Sequence, residues 1–433
     1  MVQGPVKIES FGCTMNHGEA RRAAELLTSM GIQVMTDDDG PSDDPPRTVL
    51  LFTCDVISTT ERRMWRRMEE IVEGGQRLIV AGCLAAIASD EIGRRYPGAS
   101  VVDSMGIDRL EASLWELMDQ GSRADIDAEF VPSRERLDTI VPISTGCLGD
   151  CSYCITRVAR GIVRSYDIDD IVSRVRAGVE KGRKEILLTS QDSAAYGSDR
   201  KDEDLGTLLR SITAGIGQEH RIRVGMMNPV LAKERLESIL SGFDHPFVFK
   251  FFHVPVQSGS DDILIAMNRR YTTDDFRGMI DAIRSRIPGA TISTDLIIGY
   301  PGETDQDHMR SLDLLRDVSP EILNITRYSK RPGTEAERRG SQIKGSVMKD
   351  RSRQTAAVHA EILRKVLMTR LGRHERCLVT EVGRDGTMMA RDINYTPIVI
   401  DGGRELLGEF IDVRSSGTGP TYLTGGGNWE MSQ

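Results

Sequence analysis

Short runs of apolar residues alternate with helical segments along the first third of the chain. Strands are predicted at residues 6–10, 32–35, 49–53 and 78–82, and a turn is predicted at residues 11–16. A helix is predicted at residues 19–30, where apolar side chains recur near helical spacing. Strands that follow one another through helices pair in parallel, so this part of the chain is predicted to be a Rossmann-like α/β domain. In open sheets of that kind, ligands bind at the carboxyl ends of the strands.

Three cysteines occupy such strand ends. Cys13, Cys54 and Cys83 each follow a predicted strand, and a lone buried cysteine at any one of these positions would need no functional explanation. Three at equivalent positions are different, because the sheet brings them to one crevice, where their thiolates could ligate an iron–sulfur cluster. Asn16 lies on the same edge and is a candidate catalytic or supporting residue.

A second group of three cysteines lies on one short loop. Residues 145–154 read TGCLGDCSYC, which places Cys147, Cys151 and Cys154 in a C-x3-C-x2-C pattern after a strand predicted at residues 140–144. A structural zinc loop or three incidental thiols are the alternatives, but zinc sites usually take four ligands from paired arms, and no second arm lies nearby. Three thiolates at this spacing can hold three irons of a cubane cluster and leave the fourth iron open for a ligand.

Strand and helix alternate again through the centre of the chain. About six strand–helix units follow the cysteine loop, which predicts a partial TIM-type (β/α)6 barrel with function on the loops after the strands. Those loops are rich in amide, hydroxyl and glycine residues that could fix a polar cofactor, although each alone could be turn chemistry. The candidate cofactor-binding residues are Tyr153, Gln191, Asp192, Asn228, Gln257, Ser258, Gly299 and Tyr328.

The last quarter of the chain combines a basic segment with short β-type runs. Residues 330–373 carry twelve Lys or Arg against four acidic residues, although the whole chain has a net charge of −9. A solvated helix over residues 347–371 and a surface for RNA phosphates are both compatible with that charge. A small OB-like β-barrel, of the sort that nucleic-acid-binding modules use, is predicted from the runs at residues 377–382, 387–390, 397–400 and 408–413. The candidate RNA-binding residues are Arg331, Arg338, Arg339, Lys349, Arg351 and Arg353.

The composition limits what the whole chain can be. With 433 residues, of which 39% are hydrophobic and 28% charged, it has room for two or three domains. The longest apolar runs are strand-length, so no membrane span is predicted, and the N-terminus lacks the pattern of a signal peptide. A cytoplasmic location is therefore expected, and there seven cysteines argue against a disulfide framework. We predict domains at residues 1–120, 133–366 and 367–428.

Eight short runs follow one another along the chain, at residues 10–16 (SFGCTMN), 51–54 (LFTC), 82–85 (GCLA), 146–154 (GCLGDCSYC), 255–260 (PVQSGS), 299–304 (GYPGET), 395–397 (YTP) and 407–413 (LGEFIDV). Together they resemble the motifs of one enzyme family, the radical S-adenosylmethionine methylthiotransferases. The resemblance covers nearly the whole chain and implies an N-terminal methylthiotransferase domain, a radical-SAM barrel and a C-terminal TRAM domain.

The resemblance also implies a role for each cysteine group. A 4Fe–4S cluster that generates a radical from S-adenosylmethionine would be held by Cys147, Cys151 and Cys154. An auxiliary 4Fe–4S cluster that carries the sulfur to be inserted would be held by Cys13, Cys54 and Cys83. One S-adenosylmethionine would methylate that sulfur, and a second would supply the radical. The implied partners are tRNA, a reducing electron donor of the ferredoxin or flavodoxin type and a sulfur donor, and the protein is expected to be a monomer.

Three further runs indicate a branch of the family. They are residues 155–161 (ITRVARG), 188–197 (LTSQDSAAYG) and 225–229 (GMMNP). These runs resemble the archaeal and eukaryotic type, which is implied to convert N6-threonylcarbamoyladenosine next to the anticodon of tRNA to its 2-methylthio form. Residues 190–192 also resemble the branch that methylthiolates an aspartate of a ribosomal protein, which is the alternative function. A noncatalytic iron–sulfur protein that binds RNA is the alternative from another class.

Overall fold

The computed structural model describes residues 5–36, 46–54, 58–102, 107–119 and 138–427. These residues form an open sheet, a partial barrel and a small closed barrel in succession along the chain. The predicted domain limits at residues 1, 120, 133 and 428 lie outside the described residues. Within the described parts of the chain, no helix is long and apolar enough to cross a membrane.

The N-terminal sheet has five parallel strands in the order β2-β1-β3-β4-β5. Its central strand consists entirely of buried residues, as expected for a parallel sheet covered on both faces. The strands are β1 (Val6–Ser10), β2 (Val34–Thr36), β3 (Thr48–Thr53), β4 (Arg77–Gly82) and β5 (Ser100–Val101). The helices are α1 (Thr14–Ser29), α2 (Ser58–Glu73), α3 (Cys83–Ile87), α4 (Ser89–Arg95) and α5 (Ile107–Asp119).

Helix α1 begins at Thr14, whereas the sequence pattern predicted its start at residue 19. The prediction of a turn over residues 11–16 was therefore wrong at its second half. The first five residues of α1 include Thr14, Asn16, His17 and Gly18, which are weaker helix formers than alanine or leucine. Tertiary packing outweighs that weakness, because Gly18 lies directly against Ile140 and Pro142 of the following part.

The central part is a partial barrel of six parallel strands. The order β6-β9-β10 continues through a parallel bridge between Ile222 and Val248 to β11-β12-β13, and a short antiparallel ribbon, β7-β8, flanks the cysteine loop. The strands are β6 (Asp138–Pro142), β7 (Ser144–Thr145), β8 (Arg164–Ser165), β9 (Glu185–Thr189), β10 (Arg221–Val224), β11 (Phe251–His253), β12 (Thr291–Ile298) and β13 (Ile322–Arg327).

Helices cover the outside of this barrel. Several begin with side-chain caps, and Thr304, at the end of the GYPGET run, forms a reciprocal capping box with Asp307. The helices are α6 (Thr156–Arg160), α7 (Ile168–Glu180), α8 (Leu205–Gly215), α9 (Pro229–Glu234), α10 (Leu236–Phe243), α11 (Asp261–Ala266), α12 (Thr273–Arg286), α13 (Asp305–Val318), α14 (Glu335–Arg338) and α15 (Gly345–Met368).

The C-terminal part is a closed five-stranded barrel in the order β14-β15-β16-β18-β17. The sequence pattern predicted four of its strands and missed β18, which is short and ends in two glycines. The strands are β14 (His374–Val382), β15 (Thr387–Arg391), β16 (Pro397–Asp401), β17 (Phe410–Thr418) and β18 (Leu423–Gly426).

Tyr395 attaches the closed barrel to the partial barrel. Its hydroxyl hydrogen-bonds Glu185 Oε1 at 3.1 Å, and its ring packs against Phe251 with a centroid distance of 5.1 Å. The guanidinium of Arg223 lies 5.0 Å from the same ring. Glu185 and Phe251 are the first residues of β9 and β11, so the attachment is at the amino ends of the barrel strands.

Candidate active site

The first cysteine group lies at the carboxyl edge of the N-terminal sheet. Cys13 is the N-cap of α1, Cys54 follows β3, and Cys83 begins α3 directly after β4. Parallel pairing places Thr53 opposite Gly82. Cys54 and Cys83 directly follow these two residues, so they lie side by side at the end of the sheet. The structure therefore places the three predicted cysteines at one edge of the sheet.

Gly12 allows the first two cysteines to approach each other. Its φ is +105°, and a Cβ at this position would lie 2.8 Å from Cys54 Sγ. A side chain at position 12 would therefore intrude on the space beside Cys54. Burial raises the pKa of the Cys83 thiol to about 11, and the neighbouring Cys13 adds to that rise.

The second cysteine group lies on the loop between β7 and α6. Each of its sulfurs accepts a hydrogen bond from outside the group, two of them from the backbone. The contacts are Gly149 N to Cys147 Sγ at 3.2 Å, Thr156 N to Cys154 Sγ at 3.4 Å and Arg269 Nη1 to Cys151 Sγ at 3.2 Å. Donors aimed at sulfur stabilise thiolates, which are the form that binds metal.

This donor set suits an iron–sulfur cluster. Among the described residues, no three His, Cys, Asp or Glu side chains converge on the position of one metal ion. A cubane does not require that, because each of its three thiolates binds a different iron. Without iron the thiols of Cys147 and Cys154 are protonated, since burial raises the pKa of Cys147 to about 12 and also raises the pKa of Cys154. Cluster assembly must therefore release these protons.

A cavity of about 490 Å³ opens beside the second group. The three loop cysteines line it, together with Arg157 and Val158 of α6 and residues 332–335, which lead into α14. Ile87 also lines it, and this residue ends the helix that Cys83 begins. The cavity thus lies where the N-terminal sheet meets the partial barrel.

The barrel loops place three unpartnered polar atoms in buried positions. Gln191 Oε1, Asp192 Oδ2 and the Tyr328 hydroxyl have no hydrogen-bond partner among the described residues. The other oxygen of Asp192 accepts from Asn228 N at 2.9 Å and Ala194 N at 3.1 Å. Burial raises the pKa of Asp192 to about 6. Buried acceptors without partners are costly unless a ligand satisfies them, so these loops have the chemistry of a binding site.

The other predicted cofactor residues mainly shape the loops. Asn228 caps α9, and Ser258 Oγ accepts from Ser260 N at 3.2 Å. Gln257 has a φ of +70°, and Gly299 has a φ of +79° and donates its N–H to Glu303 Oε2 at 2.9 Å.

Tyr153 lies in a separate apolar cluster next to the cysteine loop. The cluster is built on buried Met267 and Tyr300, and Tyr153 and Tyr328 pack against it. The Tyr300 hydroxyl donates to Ala266 O at 2.6 Å, which holds this cluster against the end of α11.

Known proteins are similar to this chain over nearly its whole length. Residues 5–103 match the uncharacterized protein family UPF0004, residues 141–315 the radical SAM superfamily and residues 369–425 the TRAM domain. A probable threonylcarbamoyladenosine tRNA methylthiotransferase from Pyrococcus horikoshii is 34% identical over 430 residues, which cover 97% of this chain and 98% of the relative. The threonylcarbamoyladenosine tRNA methylthiotransferase of Homo sapiens is 30% identical over 96% of this chain and 73% of its own. The chain belongs to the threonylcarbamoyladenosine tRNA methylthiotransferase family.

Solved structures confirm the predicted fold of this family member. The radical S-adenosylmethionine methyltransferase TsrM from Kitasatospora setae, solved with cobalamin and a [4Fe-4S] cluster, superposes with a TM-score of 0.56 over 78% of this chain and 77% of TsrM, at 12% identity. The cobalamin-dependent S-adenosylmethionine radical enzyme OxsB superposes with a TM-score of 0.54 over 91% of this chain and 64% of OxsB, at 13% identity. The predicted order of α/β domain, radical-SAM barrel and TRAM barrel is therefore correct.

Two of the six basic residues predicted to bind RNA are buried in ion pairs. Arg331 is 3% exposed and its Nη1 donates to Glu61 on α2 at 3.0 Å, across the boundary between the first two parts. Arg351 is 6% exposed and bonds Glu303 at 2.6 Å and Asp305 at 2.7 Å. Both arginines hold the architecture together, and the prediction that they contact RNA is withdrawn. The remaining residues are the exposed Arg338, Lys349 and Arg353 and the half-buried Arg339.

Asn16 hydrogen-bonds the segments that precede Cys13 and Cys54. It is fully buried, and its amide donates to Phe11 O at 2.8 Å and Thr53 O at 2.9 Å. Its oxygen accepts from Arg160 Nη2 at 2.8 Å. Since every polar group of this side chain is occupied, we assign Asn16 a supporting role and no contact with substrate.

The sequence pattern gave no indication of two arginines that contact cysteine sulfur. Arg160 and Arg269 are 2% and 8% exposed, and each donates to one cysteine group. Arg160 lies six residues after Cys154 in the ARG run, and Arg269 follows α11. Arg160 lies between Ala159 and Gly161, whereas Arg269 lies between Asn268 and Arg270, so no shared sequence signal points to both.

Gly82 offers a test of how closely the cysteine-bearing strands pack. Its φ is +90°, and a Cβ there would lie 2.3 Å from Thr53 O. Gly82→Ala should lower the free energy of unfolding by about 2 kcal/mol and reduce the iron retained per chain, because Cys54 and Cys83 are displaced. Denaturant unfolding and iron analysis measure both effects.

Gly93→Ala is the matched control for this substitution. Gly93 lies within α4, and nothing is within 4 Å of a Cβ built there. Its replacement should leave stability unchanged or raise it by about 0.5–1 kcal/mol. Equal free energies of unfolding for the two variants would contradict the close packing of the strand ends.

Proposed function

We propose that this protein converts N6-threonylcarbamoyladenosine, 3′ of the anticodon in tRNA, to 2-methylthio-N6-threonylcarbamoyladenosine. The supporting observation is that helix α6, which follows the second group of three cysteines, contacts the first group of three across the boundary between the two parts. Helix α6 follows Cys154 of the second group, and its last residue, Arg160, donates to Cys83 of the first. Insertion of sulfur into an unactivated C–H bond requires both a radical source and a sulfur source, and two cysteine groups provide a site for each. The names of the full-length relatives support tRNA as the substrate.

In this proposal each cysteine group holds one 4Fe–4S cluster. When bound, these clusters and S-adenosylmethionine supply the radical that activates the substrate and the sulfur that is inserted. The chain's own residues stabilise the thiolates through the backbone amides of Gly149 and Thr156 and through Arg269 and Arg160. The groups are Cys147, Cys151 and Cys154 for the radical-generating cluster, and Cys13, Cys54 and Cys83 for the auxiliary cluster.

The buried acceptors of the barrel loops are proposed to bind S-adenosylmethionine. Gln191 Oε1 and Asp192 Oδ2 suit the amino and hydroxyl groups of that cofactor, and the Tyr328 hydroxyl suits either a donor or an acceptor. Tyr153 contributes an aromatic surface next to Cys154. Asn228, Gln257, Ser258 and Gly299 position these loops.

Arg157 provides a test of substrate recognition in the cavity. Its side chain is exposed there and makes no hydrogen bond or ion pair with a described residue. The threonylcarbamoyl group carries a carboxylate, which pairs well with a guanidinium. Arg157→Gln should therefore raise the KM for tRNA bearing this group about tenfold, and steady-state kinetics measure it.

The control for Arg157 is an RNA whose threonyl carboxylate has been converted to the neutral amide. Wild type and Arg157→Gln should have similar KM values for that RNA, because the ionic contact is absent in both cases. An equal loss on acid and amide RNA would indicate a phosphate contact and contradict recognition of the carboxylate.

Basic residues on and near α15 are proposed to contact tRNA phosphates. Lys349 and Arg353 are exposed on this helix. Replacing both by Gln should reduce the slope of log affinity against log salt concentration by about 2, with little change in discrimination between RNA sequences. Filter binding of tRNA at several salt concentrations measures the slope. The control is Lys181→Gln with Lys201→Gln, two other exposed lysines, and equal slopes for the two double variants would contradict this surface.

The experiment that tests the proposed function is nucleoside analysis of tRNA. In cells lacking the gene, N6-threonylcarbamoyladenosine should accumulate and its 2-methylthio derivative should disappear. The anaerobically reconstituted protein, supplied with S-adenosylmethionine, sulfide and a reductant, should restore the derivative on that tRNA. Normal levels of the 2-methylthio nucleoside in the deleted strain would overturn the proposal.

The two alternatives give different outcomes in the same preparations. Methylthiolation of a ribosomal aspartate would change the mass of a ribosomal protein and leave the tRNA nucleosides unaltered. A noncatalytic RNA-binding protein would form no 5′-deoxyadenosine when reduced in the presence of S-adenosylmethionine.

A further inference from the structure

Arg160 lies at the boundary between the parts of the chain that carry the two cysteine groups. It belongs to the partial barrel, since α6 continues directly from the cysteine loop. Its guanidinium nevertheless points into the N-terminal part, where it donates to Cys83 Sγ at 3.2 Å, Glu19 Oε1 at 2.5 Å and Asn16 Oδ1 at 2.8 Å. The residue is 2% exposed, and all three kinds of N–H on its fork have a partner.

The partners of Arg160 reach every segment that carries the first cysteine group. Cys83 is contacted directly. Asn16 links Arg160 indirectly to the other two segments. Its amide donates to Phe11 O, two residues before Cys13, and to Thr53 O, one residue before Cys54. A single guanidinium is thus linked, directly or through one side chain, to all three cysteine-bearing segments.

The shape and charge of arginine are both needed for this arrangement. A planar fork can serve three acceptors in fixed directions, whereas a lysine ammonium is a point charge on a flexible stem. The positive charge is permanent and is paired with Glu19, while the Nε–H is donated directly to the Cys83 sulfur in a buried site where water screens little. Hydrogen bonds and positive charge at a cluster sulfur favour the reduced, more negative state of an iron–sulfur cluster and raise its reduction potential.

We propose that Arg160 is a positioning residue that raises the reduction potential of the cluster on Cys13, Cys54 and Cys83. It also fixes that cysteine group relative to the loop that carries Cys154. This inference rests on the proposed function in one respect, namely that the first cysteine group holds a cluster. Arg269 has the corresponding contact with Cys151 in the second group, so each group has its own buried guanidinium.

The test is a redox titration of each cluster by itself. In a chain with Cys147, Cys151 and Cys154 all changed to Ala, only the first group can hold iron. Anaerobic titration with dithionite, followed by electron paramagnetic resonance, then gives the midpoint of its one-electron reduction. Arg160→Gln should shift this midpoint to a more negative value, and Arg160→Lys should shift it less because the charge is kept.

The complementary background provides the control. With Cys13, Cys54 and Cys83 changed to Ala, only the second group holds iron, and Arg160→Gln should leave its midpoint unchanged. Arg269→Gln should shift the midpoint in this background. An unchanged midpoint of the first cluster in iron-loaded Arg160→Gln would overturn the inference.

Iron content separates the remaining outcomes. If Arg160→Gln loses iron only from the first group, the positioning role is supported. The shift in reduction potential is then measured on Arg160→Lys, in which the first cluster is retained. If it loses iron from both groups, the residue is needed for folding in general and the specific inference fails. If the background lacking the loop cysteines holds no iron even with Arg160 present, the auxiliary cluster of the proposed function fails instead.

Discussion

Changing Cys147, Cys151 and Cys154 together to alanine should abolish formation of 5′-deoxyadenosine and leave about half of the iron, that of the other 4Fe–4S cluster. The three sulfurs lie beside the cavity, and each accepts a hydrogen bond that favours the thiolate. With alanine at these positions no soft ligand remains on the loop, and the radical-generating cluster has no attachment. Iron and sulfide analysis of anaerobically purified protein, with chromatography of 5′-deoxyadenosine, measures both losses.

Cys377→Ala is the matched control for this triple change. Cys377 is fully buried in β14 of the closed barrel and belongs to neither cysteine group. Its replacement should leave the iron content and the formation of 5′-deoxyadenosine unchanged. Loss of iron in this control, or full 5′-deoxyadenosine formation in the triple variant, would contradict the assignment of the loop.

Changing Cys13, Cys54 and Cys83 together to alanine should have a different signature. Cleavage of S-adenosylmethionine should continue, because the loop and its donors are intact, but the 2-methylthio nucleoside should no longer form. About half of the iron should again be lost, since each 4Fe–4S cluster holds the same number of irons. Parallel measurement of 5′-deoxyadenosine and of modified tRNA nucleosides distinguishes this result from a general loss of activity.

The iron content of this second variant decides whether an auxiliary cluster exists. If the variant kept all its iron, these three cysteines would not be cluster ligands, and their meeting at one strand edge would be a matter of packing. If it lost all its iron, the two sites would depend on each other. A loss confined to the first group is expected, because the contacts of Arg269, Gly149 and Thr156 to the loop sulfurs do not involve the N-terminal sheet.

The sheets were predictable because their residues follow a simple physical rule. Strands that are covered on both faces, such as Thr48–Thr53, appear in the sequence as continuous apolar runs, and the cysteines at their ends follow from parallel pairing. The start of α1 at Thr14 was not predictable, because packing of Gly18 against the next part of the chain decides it. Strand β18 was missed because glycine-rich residues in a small barrel give little β signal.

Charge was the least predictable property of the site. The same basic segment contains Arg353, which is exposed, and Arg331 and Arg351, which are buried against acids distant in sequence. Local sequence does not reveal such partners, since Glu61 precedes Arg331 by 270 residues. The partners of Arg160 are equally hidden from local sequence, because its acceptors Cys83 and Glu19 belong to the N-terminal part of the fold.

The attachment of the closed barrel by Tyr395 has a geometric consequence for the RNA. Tyr395 contacts the amino ends of β9 and β11, whereas the cysteine loop and the other ligand-bearing loops follow the carboxyl ends of the barrel strands. The two ends are separated by one strand length, roughly 20 Å for six residues. An RNA that reaches the TRAM domain and the cavity at once must therefore extend along the side of the barrel. For an RNA that contacts both places, the number of residues per strand would thus set the distance between the modified nucleotide and the RNA segment at the TRAM domain.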